Sequence, residues 1–104
     1  MTDKITRTML ENMTAQLNRR LGRPAEGWCR VDNRNVSQVG HFNLDYVAEY
    51  GGYHLEEHAA GGGVNQPFGS NRLNAREMYA VLRALHGALD FDVFKSVYEH
   101  AHQD

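Results

Sequence analysis

The sequence predicts an α+β domain: a three-stranded antiparallel meander packed against helices, in the order α-β-β-β-α-α. Three observations lead there. The apolar residues up to Leu21 recur at helical spacing. Between Trp28 and His58 the apolar period shortens to two. From Asn74 onward the helical period returns. With 104 residues the chain is read as one domain, 1–104, too short for a doubly wound dinucleotide fold or a TIM barrel.

Ile5, Met9, Leu10, Met13, Leu17 and Leu21 form one stripe of the first helix. Thr2 or Asp3 is expected to cap its start, and Gly22 with Pro24 to end it. Arg7, Glu11 and Asn18 fall on the solvated side. Trp28 to Val31 reads as a short strand, and Asp32-Asn33-Arg34-Asn35 as a turn. Val36 to Val47 reads as the second strand. In it Phe42, Leu44 and Tyr46 point inward, and His41, Asn43 and Asp45 outward. Val39 is out of phase, so a bulge is expected at Gly40. Tyr53 to His58 is the third strand, with His54, Glu56 and His58 on a wet outer face.

Ala59 to Leu73 is expected to be a long loop. Asn74 and Glu77 then form a capping box. The helix that follows packs Ala75, Met78, Tyr79, Leu82, Leu85 and Leu89. Asp90 is expected to cap a separate last helix carrying Phe91, Phe94, Val97, Tyr98 and Ala101.

Charge and cysteine content narrow the function classes. The net charge is −2, so no global basic field draws nucleic acid. Residues 1–42 nonetheless hold seven Lys/Arg against four Asp/Glu, whereas residues 43–69 hold four acids and no base. Cys29 is the only cysteine, which excludes an intrachain disulfide and a multi-cysteine zinc site. No apolar run approaches a membrane span, and the first residues lack a secretory pattern. A cytoplasmic protein that does not contact membranes is expected.

His54-Leu-Glu-Glu-His58 matches the H-x-x-E-H pattern of helical zinc sites, with His54, Glu57 and His58 as ligands. Flanking glycines and alternating polarity favour a strand instead. A strand places His54, Glu56 and His58 on one face, near His41. That face is read as solvated polar surface, so no metal and no cofactor are expected. Gly61-Gly62-Gly63 offers a backbone nest for an anion but lacks the Lys-Ser/Thr of a phosphate loop, and reads as a turn. Arg76 and Arg83 lie about 20° apart on their helix, with Arg72 just before it. Phe68 places an apolar ring in the preceding loop. Phe68, Arg72, Arg76 and Arg83 are therefore expected to border one partner-binding surface.

The stretch Tyr50-Gly-Gly-Tyr-His-Leu, Gly61-Gly-Gly, Pro67-Phe-Gly and Ala75-Arg-Glu-Met-Tyr resembles a family of short uncharacterised proteins of phages, prophages and mobile elements. The resemblance covers about residues 28–90. It implies an accessory role and assigns no activity to any residue. The element order is also similar to that of double-stranded-RNA-binding domains, though the lysine cluster of that fold is missing here. The leading expectation is a non-enzymatic module that binds a protein partner. The alternative is a nucleic-acid-binding module using the first helix with Arg72, Arg76 and Arg83. A second alternative is a small metal-dependent enzyme at His54, Glu57 and His58.

Overall fold

The computed structural model describes residues 4–69 and 71–101, with residues 93–101 described by their backbone alone. Among the described residues the chain is α+β, with two α-helices and two antiparallel sheets. Helix α1 spans Arg7–Arg20. Thr6 caps it, its Oγ1 accepting from Met9 N at 3.2 Å. The caps expected at Thr2 or Asp3 lie outside the described residues. At the other end Gly22 has φ +67°. Its N–H donates to Arg19 O and that of Arg23 to Asn18 O, a Schellman ending that satisfies two carbonyls of the last turn.

Strands β1 (Trp28–Val31) and β2 (Arg34–Ser37) form a hairpin in which Val31 pairs with Arg34. The turn is only Asp32-Asn33, both with positive φ (49° and 61°), as a two-residue primed turn requires. Arg34 and Asn35, expected in the turn, thus belong to a strand. Strands β3 (Phe42–Val47), β4 (Gly52–His58) and β5 (Val64–Asn65) form the second sheet, in that order.

The strand expected over Val36 to Val47 is therefore two strands in two sheets. The cause lies at Gly40, whose φ is +90°. Gly40 N–H donates to His58 O while His58 N–H donates to His41 O, so two residues face one. Such a bulge redirects the chain. The expected three-strand meander becomes a hairpin beside a three-stranded sheet.

The segment expected to be a loop supplies the third strand. Val64 and Asn65 pair with His58 and Glu57. Leu73 returns to exchange two 2.8 Å hydrogen bonds with Tyr53. Residues 66–69, 71 and 72, between these two attachments, belong to no strand. Helix α2 then runs Ala75–Ala101 without a break. Its start is the expected capping box, with Glu77 N donating to Asn74 Oδ1 and Asn74 N to Glu77 Oε1, each at 2.9 Å. The separate helix expected at Asp90 is not formed. Asp90 takes Arg20 Nη2 at 2.6 Å instead of capping, and no Pro or Gly follows to stop the helix. The side chains expected on that last helix at Phe94, Val97, Tyr98 and Ala101 lie outside the described residues.

Leu10 and Leu17 of α1, Phe42 of β3, Tyr53 and Leu55 of β4, and Met78 and Leu82 of α2 form the core. Leu44, Leu73, Leu85 and Leu89 pack around it. The inner sheet face is the one that the alternation indicates. The body is flat, 53 × 47 × 22 Å, and no helix among the described residues is long and apolar enough to cross a membrane.

Leu82 is fully buried. Leu82→Ala is therefore expected to cost roughly 2–5 kcal/mol in urea unfolding. Arg76→Ala, on an exposed position of the same helix, should shift stability by less than about 0.5 kcal/mol. Equal losses would contradict this core.

Candidate functional site

Helix α1 lies alongside β3 and runs opposite to it. Near its start Arg7 covers the ring of Tyr46, 5.1 Å from the centroid. Near its end Asn18 meets Phe42. Asn18 was expected on the solvated side of the helix, yet it is only 2% exposed. It falls one residue after Leu17 and four after the buried Thr14, within the apolar stripe. Its amide copies a peptide group. Nδ2 donates to Phe42 O at 3.0 Å, and Phe42 N donates to Oδ1 at 2.7 Å. This clasp identifies the outward backbone positions of β3. Because alternate residues face alternate edges, Asn43 and Asp45 bond toward β4, while Leu44 and Tyr46 turn their N–H and C=O to the other side. Among the described residues no strand pairs with that side.

Between this free edge and α1 runs a trough of about 300 Å³. Its walls include Glu11, Ala15 and Asn18 from the helix and Phe42 and Leu44 from the strand. Ala15 is small and exposed, which keeps the helix side low. At the far end Arg7 Nε donates to Glu11 Oε1 at 2.9 Å, holding both charges at the rim. Burial, followed by the neighbouring Tyr46 hydroxyl, pushes the Tyr53 phenol above its usual range. Tyr53 therefore serves as a neutral core ring, 4.6 Å from that of Tyr46.

The four residues expected to share a partner surface are distributed differently. Phe68 leans on Phe42, with ring centroids 6.4 Å apart, at the helix-covered side of the sheet. Arg72 reaches the opposite face, where Nη2 donates to Asp45 Oδ2 at 2.8 Å and Nη1 to Gly52 O at 3.0 Å. Phe68 and Arg72 thus contact strand residues on opposite faces of the sheet. Arg76 and Arg83 are exposed on α2, with the Arg83 guanidinium 5.9 Å from the Tyr79 ring. Arg7, Arg20, Arg23 and Arg72 are each ion-paired with a carboxylate, which neutralises much of the basic surplus of the first helix and its flank.

The H-x-x-E-H set does not assemble. Glu57 points to the inner side and pairs with Arg23. His58 anchors the hairpin, with Nδ1 donating to Gly27 O at 3.0 Å and the ring edge-on to Trp28. The outer face is also less wet than expected. His54 is 9% exposed and His58 is 7% exposed, with Gln66 against the first and the hairpin against the second. What does assemble is Asp45, His54 and Glu56, whose potential ligand atoms lie within 4.8 Å of one another. Glu56 was visible from strand parity. Asp45 depends on the register of β3 with β4. Gly61-Gly62-Gly63 lies against the hairpin, where a Cβ on Gly62 would sit 3.6 Å from Trp28. No protein-family model, curated protein or solved structure matches this chain.

Proposed function

We propose that this chain is a binding module for a protein partner, taking an extended segment of that partner along the free edge of β3 as an added strand. The observation that carries this is the trough between α1 and Leu44, next to the outward N–H and C=O groups of Leu44 and Tyr46. An open edge is a template for another chain. Alternate partner residues would bond the backbone there, while a side chain enters the trough over Ala15 and Leu44. Main-chain bonds then supply affinity, and the trough supplies choice among sequences. Helix α1 runs along this edge from Arg7 at Tyr46 to Asn18 at Phe42, so an added strand would lie beside it. A partner residue bonded to Leu44 or Tyr46 cannot be proline, because it must donate.

Nucleic acid is the weaker reading, since four of the arginines it would use or neighbour are already paired with carboxylates. The lone Cys29 suits a reducing, cytoplasmic setting. An accessory role in a mobile element, as the resemblance implies, fits a small binding module.

Selection from a library of random extended peptides tests the proposal. Bound peptides should slow amide exchange at Leu44 and Tyr46. Ala15→Arg, at an exposed helix position, should weaken binding at least roughly tenfold, about 1.4 kcal/mol, with unchanged melting. Arg76→Glu/Arg83→Glu should bind like the parent. Peptides that leave the Leu44 and Tyr46 amides unprotected, or that lose affinity only with the arginine changes, would defeat this reading.

A further inference from the structure

The sheet face opposite the core carries a second constellation. Asp45 on β3 stands directly across from His54 on β4. Glu56 follows two residues after His54 and therefore shares its face. The three side chains bring one imidazole nitrogen and two carboxylate oxygens within 4.8 Å of one another. We propose that Asp45, His54 and Glu56 bind a divalent transition-metal ion of the zinc class.

The donor set selects the ion. One nitrogen with two carboxylate oxygens suits Zn²⁺ and its neighbours, whereas Mg²⁺ and Ca²⁺ prefer oxygen alone. Ligand atoms around tetrahedral zinc stand about 3.3 Å apart, given bonds of roughly 2.0–2.1 Å. Closing the present triangle takes small rotations, and Glu56 is only half-buried and so free to make them. Three protein ligands leave a fourth position for water or a partner group.

The residues behind the ligands hold them in place. His54 is more than nine-tenths buried, and the Gln66 amide donates to its Nδ1 at 3.3 Å. The same amide, turned over, accepts from Nδ1–H and so supports the tautomer whose other nitrogen can ligate a metal. Arg72 holds Asp45 Oδ2 at 2.8 Å, which orients that carboxylate and leaves its second oxygen. Such outer partners orient ligands in metal sites generally. Arg72 also offsets one of the two carboxylate charges, so two negative charges face one positive charge before an ion arrives. Gln66 directly follows β5, and Arg72 directly precedes the Leu73 bridge. That gives these two residues a role independent of any partner at β3.

The full chain without a histidine tag should be titrated with Zn²⁺ by calorimetry, and with Co²⁺ by visible absorption. One equivalent of each is expected to bind, with Mg²⁺ binding at least roughly a hundredfold more weakly. Glu56→Gln should weaken Zn²⁺ binding at least tenfold, and His54→Ala should remove it together with the Co²⁺ bands. Glu57→Gln, one residue along but on the other face, should bind as the parent does. Amide spectra of each variant establish folding, and Glu56→Gln decides the matter if His54→Ala does not fold. Absence of Zn²⁺ binding overturns the proposal. So does binding that survives Glu56→Gln, or that is lost instead with Glu57→Gln.

Discussion

Asn18→Ala is expected to lower the unfolding free energy by about 2–4 kcal/mol, a large share of the stability of a domain this size. The residue is polar, yet it occupies a core position. Its amide satisfies both backbone groups of Phe42, at 3.0 and 2.7 Å. Alanine removes both partners at once and leaves a donor and an acceptor with nothing to replace them but water entering the trough. An unsatisfied buried group costs roughly 1–3 kcal/mol, and some solvent access keeps the total below the full sum. Asn18→Asp separates the two halves of the clasp. The carboxylate still accepts from Phe42 N but can no longer donate to Phe42 O. It should therefore fall between the parent and Asn18→Ala in urea unfolding. If both variants lose less than about 0.5 kcal/mol, the clasp does not tie α1 to β3. The trough would then lack a fixed wall, and strand addition beside it would lose its geometric basis.

How much of this was legible in the sequence depends on how far apart the interacting residues lie. The α1 stripe at Leu10, Met13 and Leu17, the Gly22 ending and the Asn74–Glu77 capping box are local patterns, and each is formed, whereas Met9 and Leu21, expected on the same stripe, are exposed. The inner sheet face followed from alternation at Phe42, Leu44, Tyr53 and Leu55. What could not be read depended on distant partners. Asn18 meets Phe42 24 residues away, and only its place in the stripe hinted at burial. Val64 and Asn65 look like loop residues, because a two-residue strand has no period. They became a strand through pairing with Glu57 and His58. The metal-ligand pattern shows the same limit. A helical reading of His54-Leu-Glu-Glu-His58 selects Glu57, whereas strand parity selects Glu56. The third member, Asp45, is fixed only by the register that the Ala48–Gly51 turn imposes. Asp90 erred in the opposite direction. A capping residue was inferred locally, but a tertiary ion pair with Arg20 uses its carboxylate.

Gly52→Ala is expected to be more damaging than any exposed substitution, with a loss of about 2–6 kcal/mol. Gly52 is buried and has φ +131°, a conformation that residues with a Cβ rarely adopt. A Cβ there would stand 2.2 Å from Leu73 O. That oxygen accepts from Tyr53 N at 2.8 Å, and the clash is with backbone rather than with a movable side chain. Strain at such a position costs about 1–3 kcal/mol. Displacing Leu73 adds the two hydrogen bonds it exchanges with Tyr53, each worth about 0.5–1.5 kcal/mol. The adjacent glycine is the control. Gly51 has φ +89° but nothing within 4 Å of its added Cβ, so Gly51→Ala should show the conformational term alone, roughly 1–2 kcal/mol. Urea unfolding of the two variants, with amide exchange at Tyr53 and Leu73, measures the difference. Faster exchange at both amides is expected for Gly52→Ala only. If the two variants lose the same stability, the Leu73 bridge yields at little cost. It would then not be what fixes the chain before Asn74 opens α2 or what holds Arg72 against Asp45.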